Sequence, residues 1–200
     1  MEPEKNTNKT GMIIGILVLV VIIGLIVMAG GNDKDMDENM DTTTDTTVQE
    51  EGVMVGGAMM LPSQDIVTNA MNADNVTTLV AAVDAAGLVE TLQGPGPFTV
   101  FAPTNDAFDD LPEGTVDTLL MPENVDDLTS VLTYHVVPGV YTAADLTDGL
   151  ELETVNGATI LFTVENGVLM INGSAMVETA DVISSNGVTH VIDTVLTPQA

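Results

Sequence analysis

The side chains best suited to proton chemistry near neutral pH are two histidines, His135 and His190, in a chain of 200 residues. His135 stands in "YHVVPG" and His190 in "GVTHVIDTVL". Each lies among apolar neighbours, which is the setting of a hydrogen-bonded core histidine rather than a general base. A serine hydrolase would need a nucleophile beside one of them. The five Ser of residues 61–200 stand in no nucleophile motif, and Gly-x-Ser-x-Gly does not occur. The acid pairs Asp109-Asp110 and Asp126-Asp127 could serve acid–base work or calcium. In so acidic a chain they read instead as solvated or helix-start residues. "DKDMDE" opens like a calcium loop at Asp33. It then places Glu38 at position six and Thr44 at position twelve, where the loop needs Gly and Glu. There is no Cys, so thiolate metal sites and disulfides are excluded. These residues indicate no catalytic group, no cofactor and no metal, and the chain reads as a non-enzyme.

Charge narrows the partners. Residues 61–200 hold 13 Asp and 7 Glu and neither Lys nor Arg, within a chain of net charge −27. A region without one basic side chain cannot neutralise phosphates, which excludes nucleic acid. It has no internal Lys or Arg ion pair to offset its self-repulsion either.

Four segments follow along the chain. Residues 1–11 carry Lys5 and Lys9. Residues 12–29, "MIIGILVLVVIIGLIVMA", are uncharged and apolar, and as a helix would span about 27 Å, close to the hydrocarbon core of a bilayer. The basic residues ahead of this stretch and the acids behind it keep the N-terminus in the cytoplasm and place the remainder outside. Cleavage near Ala29 is the competing reading; the run exceeds the usual signal-peptide core, which favours a retained anchor. Either way the C-terminal part is exported. Residues 30–60, rich in Asp, Thr and Met, read as a solvated tether without secondary structure. Residues 61–200 read as one domain.

Within that domain the period changes midway. Ser63 can cap a helix through "QDIVTNAM". A second helix covers "NVTTLVAAVDAAGLVETL", broken at Gly87. "GPGP" is a turn, and "FTVFA" a short apolar strand stopped by Pro103. Helical signals return at "EGTVDTLLM" and through "PENVDDLTSVLTYHVVPG". In the latter, Leu128, Val131, Leu132 and His135 share a face, and Pro138 and Gly139 close the helix. Beyond it, Asn-Gly pairs at 156, 166, 172 and 186 announce hairpins. "VTHVIDTVL" reads as a last strand. Helices first and hairpins later argue α+β around one core.

Three blocks together resemble the fasciclin domain family: "TVFAPTNDAF" at 99–108, "YHVVPG" at 134–139 and "GVTHVIDTVLTP" at 187–198. The resemblance covers about residues 62–198. It implies a wedge of β-strands packed with several helices, and membership among mostly secreted or surface-attached adhesion and matrix proteins. It makes Phe98 and Phe101 packing residues of a core strand, and Asn105 and Asp106 the start of the helix after Pro103. In some animal members the Tyr-His motif is linked to integrin recognition, which makes Tyr134 and His135 binding candidates alongside Asn105 and Asp106.

The expectation is a single-pass, surface-displayed adhesion or binding module. Its partner would be a surface protein, a glycan or a second copy of itself. The alternative is an exported enzyme or ligand carrier with an acidic, calcium-binding cleft. Asn75 and Asn172 head sequons that export would expose to glycosylation.

Overall fold

The strand at 98–103 organises everything around it. In the computed structural model, which describes residues 51–198, β3 runs Phe98–Pro103 and is buried on both faces. A continuous apolar run suits such a position, where a strand has layers above and below. Its neighbours are β4 (Val136–Pro138), antiparallel, and β9 (Gly187–Ile192), parallel with Phe101 opposite His190. The seven-stranded sheet continues through β8 (Ala175–Ser184), β7 (Val168–Ile171), β6 (Thr159–Glu165) and β5 (Glu151–Glu153), in the order β4-β3-β9-β8-β7-β6-β5. The Val155 N–H donates to the Val136 carbonyl at 2.8 Å, so the two ends of the sheet nearly meet.

Each Asn-Gly pair joins antiparallel neighbours. At 166–167 and 172–173 both residues take positive φ, the geometry of the tight hairpin turn that matches strand twist. At 186–187 the glycine answers a different need. A Cβ on Gly187 would collide with the Phe98 carbonyl, so only glycine lets the β8–β9 turn pass the start of β3.

Helices fill the first half. They are α1 (Ile66–Asn72), α2 (Thr77–Ala85), α3 (Val89–Leu92), α4 (Asn105–Asp109), α5 (Thr115–Leu119) and, after a 3-10 turn at Pro122–Asn124, α6 (Val125–Tyr134). Gly87 (φ +67) separates α2 from α3, as expected. The fold is α+β, with two cores on opposite faces of β3. Ala102 packs with Leu79, Val83, Leu128 and Leu132 from the helices. Phe101 packs with Ile160, Phe162, Ile171 and Ile192 inside the curled sheet, its ring 5.5 Å from that of Phe162.

Several local readings shift. Asp65, not Ser63, caps α1: its carboxylate accepts from the Thr68 N–H at 2.9 Å and the Thr68 hydroxyl at 2.6 Å. Helix α6 stops at Tyr134, and Val136–Pro138 leaves it as an edge strand. Two β-branched residues opposite Val100 and Thr99 favour a ladder, and Pro138 sits where an edge strand tolerates a missing N–H. The tether expected over residues 30–60 ends short of residue 53. Strands β1 (Val53–Val55) and β2 (Ala58–Met60) pair across Gly56-Gly57. Val55 and Met60 enter the helical core, and their burial supplies the driving force that composition upstream does not hint at. Residues 1–50, including the 12–29 segment, lie outside the described residues. Among the described residues no helix is long and apolar enough to cross a membrane.

Candidate functional site

Tyr134 and His135 close α6, and both point inward. Tyr134 is buried; its O–H donates to the Thr159 carbonyl at 3.2 Å and accepts from the Asn172 side-chain amide at 2.9 Å. It ties the last helix to the β6 strand and to the β7–β8 turn. His135 is 2% exposed. Its Nε2 accepts the Leu196 N–H at 2.9 Å, so that nitrogen is unprotonated. The proton then lies on Nδ1, which donates to the Val131 carbonyl at 2.8 Å. Burial pushes its pKa down from 6.5 to about 4, against the opposing pull of the Val131 carbonyl.

His190 is the mirror case. It is fully buried and stacked on Phe101 with ring centres 5.5 Å apart. Strand β8 bulges between Thr179 and Val182, and Asp181 takes φ +59 there. The bulge turns the Asp181 N–H toward His190 Nδ1 at 3.3 Å, leaving Nε2–H to donate to the Tyr141 carbonyl at 2.8 Å. Burial lowers this pKa too, with the Tyr141 carbonyl and the Asp181 charge opposing. Both imidazoles are neutral, saturated with backbone partners and shut off from solvent. They brace the fold; neither has a nitrogen left for a substrate or a metal.

The other two candidates part company. Thr104, in extended conformation, caps α4 by accepting the Ala107 N–H at 3.2 Å. Asn105 does a longer-range job. Helix α2 has no capping side chain of its own at Val76. Asn105 Oδ1 supplies the cap from across the fold, accepting the Thr78 N–H at 3.0 Å and the Thr77 hydroxyl at 3.3 Å. Its Nδ2 donates to the Asp74 carbonyl at 2.9 Å. Asn105→Ala orphans that helix start and is expected to cost about 1–2 kcal/mol. Urea unfolding checks this, and an unshifted midpoint would refute the clamp. Asp106 alone of the four is exposed, in the first turn of α4, where a carboxylate complements the helix dipole. The structure therefore brings Tyr134 and His135 together as core braces and leaves Asn105 and Asp106 on a separate helix start.

Asp109, Asp110, Asp126 and Asp127 are all exposed. Among the described residues no group of three or more His, Asp or Glu is placed to hold a metal ion. The Asn172 amide nitrogen, the atom a glycan would need, is engaged with Tyr134.

What sequence reasoning missed is a cavity of about 80 Å³ between the helices and β3, bordered by α1, α2, α3, α6, β4 and His135. Small residues at Ala70 and Ala102 help to leave it open, but nothing in local periodicity reports a gap between elements far apart in the chain.

Residues 74–198 match the family model of the fasciclin domain. Protein sll1483 of Synechocystis sp. is 51% identical over 149 residues, covering 74% of this chain and 82% of that protein. Transforming growth factor-beta-induced protein ig-h3 of Sus scrofa is 37% identical over 143 residues, 71% of this chain but 20% of that protein. Among solved structures, a FAS1 domain pair from the insect cell adhesion molecule Fasciclin I superposes with a TM-score of 0.61 at 22% identity, covering 68% of this chain and 52% of that one. That likeness is one of fold.

Proposed function

The chain belongs to the fasciclin domain family, and from that premise we propose that it is a surface-displayed binding module of the adhesion type, acting by recognition and not by catalysis. The observation that carries this reading is the state of the histidines: both are neutral, buried and bonded to backbone. The side chains best able to move a proton at neutral pH are thus spent on holding the fold. What remains outside is carboxylate, amide and scattered apolar surface, including Met54 and Met59, which face each other on the β1–β2 hairpin at 61% and 48% exposure. Partner contacts fall to such exposed residues, and to Asp106, and not to Tyr134 or His135. The partner is a surface protein, a glycan or a second copy of the chain. Residues 12–29 hold the module to the membrane with the C-terminal domain outside.

The test uses intact cells that make the full-length protein. Protease added outside should strip the domain, and beads coated with the full chain should bind such cells saturably. Domain protected from external protease, or a native protein beginning at residue 30, would overturn the anchored display. Absence of saturable binding, with turnover of a substrate library instead, would overturn the recognition reading.

A further inference from the structure

The cavity lies between two patches of core on the helical side of the sheet. On one side stand Ile66, Val100 and Val136; on the other stand Leu79, Val83 and Leu132. The surface facing the void is entirely apolar. His135 borders it, but both of its nitrogens are engaged with backbone. The Thr133 hydroxyl is likewise turned away, donating to the Thr129 carbonyl at 2.6 Å. Water needs two to four polar partners to occupy a buried site, and this void supplies none. It is nonetheless reachable, since Thr91 and Val155 at its border are exposed.

We propose that this cavity is a binding site for the end of an uncharged hydrocarbon chain. The apolar wall selects a hydrocarbon. Charge selects against an acid head. The walling helices α2 and α3 carry Asp84 and Glu90, and residues 61–200 offer no Lys or Arg to pair with a carboxylate or phosphate. An anionic amphiphile would have to hold its head in a repulsive field, whereas a neutral ester or plain hydrocarbon meets no such barrier.

The test uses cis-parinaric acid and its methyl ester, which share one fluorescent polyene chain and differ in charge. Full-length protein at pH 8 is titrated with each. The ester should bind saturably, and the acid at least tenfold more weakly. Ala70→Leu, which grows a side chain into the void, should weaken ester binding at least tenfold. Binding to residues 12–29 or to detergent would not respond to that change. Thr91→Lys, at an exposed position, should strengthen acid binding about tenfold and leave the ester unchanged; it decides the matter if Ala70→Leu does not fold. No ester binding, equal binding to wild type and Ala70→Leu, or equal affinity for acid and ester would each overturn the proposal.

Discussion

The melting temperature of the protein is expected to climb steeply as NaCl rises from 0.01 to 1 M, by on the order of 10 °C. The cause is the charge distribution. Residues 61–200 carry 13 Asp and 7 Glu without a Lys or Arg, and both histidines are neutral. Every long-range charge–charge interaction inside the domain is therefore repulsive. Folding draws these carboxylates from a chain with a radius of gyration of about 39 Å into one of about 14 Å. At 0.01 M salt the Debye length, about 30 Å, exceeds the folded radius, so nearly all pairs repel. At 0.1 M it is about 10 Å and only near neighbours matter. At 1 M it is about 3 Å and little repulsion survives. Relief of about 3 kcal/mol would raise the melting temperature by the amount stated, since for a domain of this size 1 kcal/mol moves it by a few degrees. Circular-dichroism melts across the salt range measure it. A flat or falling melting temperature would refute the repulsion argument.

The same neutrality of the histidines was half legible beforehand. His135 shares a stripe with Leu128 and Leu132 and His190 sits in an apolar strand, so burial could be read from spacing. The bonds that hold them could not. Leu196 lies 61 positions from His135, and the bulge that aims the Asp181 N–H at His190 is a property of pairing. What the residues disclose well is local. "FTVFA" is a strand because every position is apolar, and the Asn-Gly pairs mark turns because left-handed backbone is cheap there. What they conceal is long-range. Asn105 resembles a cap for its own helix and instead caps α2. "VVPG" continues a helical stripe but is taken into the sheet by β3. "VMVGGAMM" carries strand alternation around Gly-Gly, yet its acidic, Thr-rich approach reads as tether until Val55 and Met60 are seen in the core. In each case a distant partner outweighs a weak local preference.

Acid should act through His135, and the sign follows from its lowered pKa. The folded protein resists protonating this imidazole until about pH 4, whereas the unfolded chain binds the proton near 6.5. Stability from the neutral ring is therefore full above pH 6.5 and is lost as pH falls toward 4. Protonation would put a second proton on Nε2, directly against the Leu196 N–H. His190 has a pKa lowered in the same direction and adds to the loss. The carboxylates complicate a single melt, because neutralising them near pH 4 relieves the repulsion argued above. Comparing wild type with His135→Ala cancels that contribution. At pH 7.5 the variant should be less stable by about 1–3 kcal/mol, through lost packing and an orphaned Leu196 N–H. At pH 4.5 the gap should close or invert, because the wild type alone bears the cost of keeping a buried imidazole neutral. Chemical unfolding in 1 M NaCl at the two pH values gives both numbers. A gap that stays constant between pH 7.5 and 4.5 would mean the ring titrates alike in folded and unfolded chains, and the lowered pKa of His135 would have to be abandoned.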